Sequence, residues 1–243
     1  MNILIIIVLI IIIVLGVFTS HGYSVEQFFN NENEEIDFYD FNPTAKKSIC
    51  FIAGVHGNEP AGAVALNELI KNGYFAQKAS ENNIKIRVIP NVNKAGLKRN
   101  VRYQPNILYP DINRNFIENG SEPVSKKLLA LTNGFDLVID FHEGWGYYLL
   151  NNGSIGSTIS PSDTELSKKL AEKMLASVNK DISDPIKRFS IRKNSSCDIP
   201  STLACNMNKK QRNYILIETS GQNNIQPMKV RKQQIFQIIQ NTF

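Results

Sequence analysis

The 243-residue chain contains few histidines and cysteines, three of each, and it shows no internal repeat. The cysteines Cys50, Cys197 and Cys205 lack C-x-x-C spacing, which excludes the common zinc-finger and thioredoxin-type motifs. Three cysteines cannot all pair with one another. Cys197 and Cys205 therefore either form one disulfide in an oxidising compartment or remain buried thiols.

Lysine and arginine are absent from the first 45 positions, which instead contain six acidic side chains: Glu26, Glu32, Glu34, Glu35, Asp37 and Asp40. The rest of the chain carries 27 basic and 16 acidic residues, a net charge of +11. A charge of this size makes nucleic acid or a lipid surface a partner to consider. The lysines and arginines are scattered without interleaved aromatic residues, and no nucleic-acid-binding motif is present. We therefore expect a solvated basic surface and no nucleic-acid partner.

The N-terminus carries an uninterrupted apolar run, ILIIIVLIIIIVLGVF, at residues 3–18. Its length falls between the core of a signal peptide and the roughly 20 residues that span a bilayer. A basic segment before the run is missing, and Ser20 and Gly22 form only a weak cleavage site. We expect residues 1–20 to be a helical signal anchor or a cleaved signal peptide, so the protein is either membrane-retained or secreted. Residues 21–45 are expected to form an acidic linker.

From residue 46 onward, strand-like and helix-like segments alternate within one expected domain, 46–243. The order predicts an α/β three-layer sandwich in which helices flank a central mixed, largely parallel sheet. Helices are expected from Pro60 to Gly73, from Ser121, from a capping box at Ser162, after Pro200 and from Pro227. The predicted strands are 48–55, 84–92, 135–143 and 213–220.

Four polar side chains follow or end these strands. His56 and Glu59 follow the first strand, His142 ends the third, and Glu218 lies toward the end of the last. In open α/β sheets, ligands bind in the crevice at the carboxyl ends of the strands. Two imidazoles and one carboxylate are the three protein ligands of a catalytic zinc site, whose fourth position holds water. The pattern therefore predicts one Zn²⁺ ion held by His56, Glu59 and His142.

Each of these residues also has an ordinary structural explanation. An H-x-x-E pair occurs readily by chance, a histidine at a strand end is more often a core residue, and Glu218 would otherwise be a buried acid. Asp140 lies on the same strand face as His142, where it can accept a hydrogen bond from the imidazole, whereas Glu143 faces the other way. A carboxyl group that ends an apolar strand in a cleft should have a raised pKa, as a general base requires.

The loop 93–116 carries Arg99, Arg102 and the pair Asn113-Arg114. A guanidinium group binds a carboxylate through two parallel hydrogen bonds. Three arginines in isolation also suit a solvent-exposed basic loop. The segment DINRNF fits that explanation poorly beside a metal site, so we interpret the loop as part of a binding site for a carboxylate.

Together, H-x-x-E, D-x-N-R-N-F, the later D-x-H and the glutamate of the last strand resemble the zinc carboxypeptidase superfamily, including its aspartoacylase and succinylglutamate desuccinylase branch. The resemblance covers about residues 48–240. It implies that Glu218 is the base and acid for the water and that Asn113 and Arg114 hold the substrate's terminal carboxylate. It also implies an arginine that stabilises the oxyanion. Arg102 is assigned this role because Tyr103 follows it, with Arg99 as the alternative.

The chain departs from the family in three ways. More residues than expected separate Arg102 from Asn113, no tyrosine stands before the final glutamate as in digestive carboxypeptidases, and about 25 residues follow Glu218. The last feature implies that the extra β domain of aspartoacylase is missing, which would leave the pocket open enough for a peptide.

We therefore predict a zinc-dependent hydrolase that cleaves an amide bond next to a free carboxylate. The expected substrate is a peptide C-terminus, as for a carboxypeptidase, or an N-acyl amino acid, as for an aspartoacylase-like deacylase. A catalytically inactive, membrane-tethered binding module is the alternative from another class.

Overall fold

The computed structural model of the protein describes residues 23–29, 35–105, 111–120, 122–192 and 197–243. The apolar run and the helix expected within residues 1–20 lie outside these ranges. Among the described residues, no helix combines the length and the apolar character that crossing a membrane requires.

Eight strands form one mixed sheet: β1 (Tyr23–Phe29), β2 (Glu35–Phe41), β3 (Lys47–Ala53), β4 (Ile84–Ile89), β5 (Leu137–Gly144), β6 (Thr158–Pro161), β7 (Ser190–Ile191) and β8 (Tyr214–Ser220). Their order across the sheet is β1-β2-β4-β3-β5-β8-β6-β7. The inner strands β4, β3, β5 and β8 are parallel, whereas β2 and β6 flank them in antiparallel orientation. The parallel strands are apolar along most of their length because both faces of the sheet are covered.

The described residues contain seven helices: α1 (Pro60–Lys71), α2 (Tyr74–Glu81), α3 (Lys94–Arg99), α4 (Pro123–Thr132), α5 (Glu165–Asn179), α6 (Leu203–Lys209) and α7 (Met228–Gln240). One core contains Phe51 and Phe141 with side chains of α1, α2, α5 and α7. The other contains Ile52 and Val138 with side chains of α4 and α6. Successive strand residues enter opposite cores because side chains alternate across a sheet. The predicted α/β architecture is therefore confirmed.

The four predicted strands correspond to β3, β4, β5 and β8. The segment expected to be a linker, residues 21–45, instead contains β1 and β2, which extend the sheet. Within β2 the buried Ile36 and Phe38 alternate with other side chains. The acidic Asp40 is buried as well, because Arg87 binds both of its carboxylate oxygens, at 2.7 and 2.6 Å. The acidic composition of this segment obscured its strand periodicity.

The predicted capping box at Ser162 is wrong. Helix α5 begins at Glu165, and the Thr164 side chain accepts the capping hydrogen bond from the Ser167 N–H. The Ser162 hydroxyl is engaged elsewhere: it accepts from the Tyr214 N–H at 3.1 Å and donates to the Arg212 carbonyl at 2.8 Å. Tyr214 begins the last strand and Arg212 lies just before it, 52 and 50 positions along the chain from Ser162, so the local spacing alone was misleading.

Cys197 and Cys205 form a disulfide, one of the two alternatives left open by the sequence. The bond closes the segment that leads into α6. The third cysteine, Cys50, is a free thiol buried in the sheet, and burial raises its pKa far above the usual range.

Candidate active site

The parallel strands bring four predicted site residues to one edge of the sheet. His56 and Glu59 lie in the connection between β3 and α1, and His142 and Glu218 lie near the ends of β5 and β8. In the pairing of β5 with β8, His142 is the direct partner of Glu218. Residues paired in this way project from the same face of a sheet, so the two side chains enter the same crevice.

Two imidazoles converge on the carboxylate of Glu59. His56 Nδ1 lies 2.9 Å from Glu59 Oε1, and His142 Nδ1 lies 2.9 Å from Glu59 Oε2. The two Nδ1 atoms are 3.1 Å apart, and all three side chains are buried. Their potential ligand atoms all lie within 4.8 Å of one another. The structure thus places together the three residues that the sequence predicts as metal ligands.

The outer nitrogen of each imidazole is held by another carboxylate. His56 Nε2 lies 3.2 Å from Asp111 Oδ1, and His142 Nε2 lies 3.2 Å from Asp140 Oδ2. Such contacts orient metal-binding histidines, here with both Nδ1 atoms toward Glu59. Two imidazole nitrogens and a carboxylate fit a zinc site, because this donor set is one of those that catalytic zinc ions use.

The charges at the site shift the pKa values of its members in opposite directions. Burial alone would raise the pKa of Glu59, but the imidazoles of His56 and His142 outweigh it and hold that pKa far below its usual range. Burial would lower the pKa of His142, but the carboxylates of Asp140 and Glu59 raise it well above the usual value. Carboxylates thus dominate the surroundings of the imidazoles, an arrangement that suits a cation.

The pKa of Glu218 is shifted in the opposite direction from that of Glu59. Its pKa is raised to about 8, chiefly by burial; the charge of His142 opposes this rise, those of Glu59 and Asp140 add to it, and that of Arg102 opposes it. Its Oε2 atom is buried and has no hydrogen-bond partner among the described residues. An acid in this state can exchange a proton near neutral pH.

Arg102 enters the site, whereas Arg99 does not. Arg102 Nη1 lies 3.2 Å from Glu59 Oε1, and its Nε lies 3.1 Å from Asp111 Oδ2. Arg99 is exposed at the end of α3 and is not among the described residues that line the pocket. The structure therefore places Arg102 beside the carboxylates of Glu59 and Asp111, and leaves Arg99 at the surface.

A pocket of about 270 Å³ opens beside these residues. Asn113 and Arg114 line it from the turn Ile112–Arg114. The Asn113 side-chain oxygen accepts a hydrogen bond from the Leu203 N–H at 2.9 Å, and Arg114 donates to the Asn113 carbonyl at 2.9 Å. The remaining walls are Ile155, Arg192, Asp198, Ile199, Thr202, Ala204 and Leu216. Five polar residues were predicted to act beside the metal ligands. Four of them, Glu218, Arg102, Asn113 and Arg114, line this pocket, and Arg99 does not.

Two residues at the site were missed in the sequence. Asp111 begins the segment DINRNF, which was interpreted through Asn113 and Arg114 alone, although an acid in that motif was a usable signal. Gln222 Nε2 donates to Glu59 Oε1 at 3.2 Å from beyond the end of β8. Its contact joins positions 163 residues apart, and we find no local pattern that announces it.

Comparisons with known proteins agree with this geometry. Residues 45–146 match the family model of the succinylglutamate desuccinylase/aspartoacylase catalytic domain. No curated protein matches the sequence. Over residues 45–146, the family match confirms the predicted resemblance to the zinc carboxypeptidase superfamily and its aspartoacylase branch.

Several solved structures share the fold. The mDAP-bound Csd4 of Helicobacter pylori, a D,L-carboxypeptidase, is 20% identical with a TM-score of 0.66, over 83% of this chain and 52% of that chain. Tripeptide-bound Csd4 is 19% identical with a TM-score of 0.66, over 90% and 54%. The murein-tripeptide amidase MpaA of Escherichia coli O157 is 16% identical with a TM-score of 0.59, over 91% and 92%. The chain thus spans about half the length of Csd4, and at these identities the likeness establishes the fold.

Proposed function

We propose that the protein is a zinc-dependent hydrolase of the carboxypeptidase type, which cleaves an amide bond next to a free carboxylate. The observation that carries this proposal is the convergence of His56, Glu59 and His142 beside Glu218, whose buried Oε2 atom has no hydrogen-bond partner among the described residues. These four residues come from three separate parts of the chain, and a core without a function would have no need to bury them together.

His56, Glu59 and His142 would hold one zinc ion. When bound, zinc supplies Lewis acidity toward a carbonyl oxygen and makes water a stronger nucleophile at neutral pH. Glu218 would accept a proton from the attacking water at its carboxylate and later deliver it to the nitrogen of the leaving amine. Its raised pKa suits both transfers, because the group can be charged in one step and protonated in the next.

The arginines of the pocket would bind the charges of the substrate. Arg102 would stabilise the negative oxygen that develops during attack, since its guanidinium already reaches Glu59 and Asp111. Asn113 and Arg114 would hold the terminal carboxylate. The contact from Leu203 keeps the Asn113 side chain in one orientation, which favours a defined position for that carboxylate.

A peptide C-terminus is the substrate that we favour. The mDAP- and tripeptide-bound structures of Csd4, and the name of MpaA, describe proteins that act on or bind peptides. An N-acyl amino acid deacylase is the second candidate, since the family model that matches residues 45–146 is that of desuccinylases and aspartoacylases. Both substrates present an amide beside a carboxylate, so the same clamp would serve either.

An inactive, membrane-tethered binding module is the alternative from another class. The complete set of candidate ligands and base favours the enzyme, because a protein that has lost turnover has no requirement to keep all of them. For location, we propose a membrane-retained or secreted protein. The apolar run at residues 3–18 supports this proposal, as does the Cys197–Cys205 disulfide, since such bonds persist in oxidising compartments.

Zinc content and hydrolysis should be measured together for the protein and for Glu218→Gln. The substrate panel should contain free-acid dipeptides, the same dipeptides with amidated C-termini, and N-acetyl and N-succinyl amino acids. We expect one zinc per chain and turnover of free acids only. Stoichiometric zinc without turnover on any free acid would favour the binding module. Turnover confined to the acyl amino acids would favour the deacylase.

A further inference from the structure

An ion pair outside the pocket is buried deeply and has no part in the proposed reaction. Glu143 on β5 and Arg231 on α7 are 1% and 3% exposed, and the Arg231 guanidinium contacts Glu143 Oε2. Removing two charges from water is costly, and a buried ion pair often adds little net stability. Stability alone is therefore a weak explanation for this pair.

Glu143 also contacts Glu59 and the start of the helix that follows Glu59. Glu143 Oε1 accepts a hydrogen bond at 2.5 Å from the N–H of Ala61, which lies in the first turn of α1. Glu59 immediately precedes that helix. The Glu143 N–H also donates to Glu59 Oε2 at 3.1 Å. Residue 143 thus holds both the backbone next to Glu59 and one oxygen of its carboxylate.

Gln222, which lies just beyond the end of β8, contacts both Glu143 and Glu59. Its Nε2 donates to the Glu143 carbonyl at 2.7 Å and to Glu59 Oε1 at 3.2 Å. Glu59 Oε1 therefore accepts a hydrogen bond from Gln222, and Glu59 Oε2 accepts one from the Glu143 N–H, in addition to the contact of each oxygen with an imidazole. The preceding residue must be glycine, because a Cβ on Gly221 would overlap the Glu143 carboxylate.

We propose that Glu143, Arg231 and Gln222 are positioning residues that hold the Glu59 carboxylate toward His56 and His142, ready for a metal ion. Arg231 neutralises Glu143, so that a second carboxylate can be buried beside Glu59 without repelling it. Loss of Arg231 would leave the Glu143 charge unpaired in the interior, and the hold on the start of α1 and on Glu59 would loosen. This inference rests on the proposed metal centre.

The test is the metal affinity of chelator-stripped protein, read without any turnover. Zn²⁺ affinity is measured by competition with a chromophoric chelator, and Co²⁺ absorption in the visible range reports the coordination geometry. We expect Arg231→Met to weaken Zn²⁺ binding about 10- to 100-fold, the range seen when such outer contacts are removed. Its Co²⁺ spectrum should differ from that of the wild type. Gln222→Ala should weaken binding in the same direction.

Asp40→Asn is the matched control, because it breaks another buried ion pair. Asp40 binds Arg87, and Arg87 and Val138 both pair with Cys50 across the sheet, so they lie at the same level. Val138 precedes His142 by four residues on β5, which places this ion pair about 13 Å from the level of His142 along the strand direction. The control should lower the free energy of unfolding while leaving Zn²⁺ affinity and the Co²⁺ spectrum unchanged. If Arg231→Met fails to fold, Arg231→Lys, which keeps the charge, replaces it with a smaller expected loss of affinity.

The outcomes separate the two proposals. Wild-type protein that binds no metal would overturn the proposed function and this inference with it. Wild-type protein that binds Zn²⁺, together with Arg231 variants of unchanged affinity and spectrum, would overturn the inference alone. Loss of affinity in Asp40→Asn equal to that in Arg231→Met would also overturn it, because the effect would then follow from general destabilisation.

Discussion

His142 and Glu218 lie side by side as partners in the parallel pairing of β5 with β8. The candidate metal ligand and the candidate base are therefore not positioned independently. A shift of one residue in this register would turn Glu218 to the opposite face of the sheet. The apolar runs of the two strands, which are buried on both faces, resist such a shift because it would move the polar ends into the core.

Zinc should stabilise the folded protein. His56, Glu59 and His142 are assembled only in the native state, so an ion that binds them shifts the unfolding equilibrium. At zinc concentrations about 100 times the Kd, the gain in the free energy of unfolding should be about 2.7 kcal/mol. Thermal unfolding with chelator and with zinc measures this gain. His142→Ala should abolish it, and an equal gain in that variant would show that zinc binds elsewhere.

Glu218→Gln should remove turnover while leaving metal binding intact. Glutamine keeps the size of the side chain but can neither accept nor deliver the proton, so kcat should fall about 10²- to 10⁴-fold. The Zn²⁺ affinity should stay within a few fold of the wild type, because Glu218 is not one of the three converging ligands. Steady-state kinetics and metal titration on the same preparation separate the two effects. Unchanged kcat would exclude Glu218 as the base.

The stability of the metal-free protein should fall as pH rises from about 4.5 to about 8. Burial raises the pKa of Glu218 from 4.5 to about 8, so the folded state keeps a proton that the unfolded state has released in this range. The free energy of unfolding therefore decreases with pH, by at most about 1.4 kcal/mol per pH unit for one proton.

Urea unfolding of chelator-treated protein across this pH range checks the prediction. Glu218→Gln has no proton to release, so its stability relative to the wild type should increase with pH. A difference between the two proteins that does not vary with pH would contradict a raised pKa for Glu218.

Arg114→Ala should reduce the preference for free-acid substrates. A hydrogen bond to a charged group contributes about 1.5–3 kcal/mol, which corresponds to about 10- to 100-fold in kcat/KM. The loss should affect free acids and spare the amidated counterparts of the same peptides. Arg99→Ala is the matched control, since that arginine is exposed. Equal losses on both substrates would show that Arg114 does not bind the carboxylate.

Reduction of the Cys197–Cys205 disulfide should weaken both the fold and the pocket. The two cysteines are separated by 8 positions, and closing a loop of this size contributes roughly 2.5 kcal/mol. The loop also carries Asp198, Ile199 and Thr202, which line the pocket. We expect a lower free energy of unfolding and a raised KM for the double variant Cys197→Ser/Cys205→Ser. Reductant should not affect that variant further, because Cys50 is buried as a free thiol. An unchanged KM would show that the disulfide does not contribute to substrate binding.

Much of the architecture could be predicted because it depends on local patterns. The runs of β3, β4, β5 and β8 are apolar over strand length, and the helices between them begin with residues such as Pro60 that favour a first turn. The strands β1 and β2 were not predicted. In β2, the acidic Asp40 is buried because its partner Arg87 lies 47 positions away in the chain, where no local pattern reveals it.

The candidate site divides in the same way. The sequence by itself determined which residues stand at the ends of the parallel strands, and therefore that His56, Glu59, His142 and Glu218 would share one edge, because strand polarity follows from the alternation of strands and helices. Only the tertiary structure decided that both imidazoles point Nδ1 toward Glu59 and that Asp111 contacts His56. It also decided that Arg102 rather than Arg99 enters the pocket, and that Gln222 reaches Glu59. These choices depend on side-chain directions and on contacts between distant positions, such as the 55 residues between His56 and Asp111, and no local periodicity encodes them.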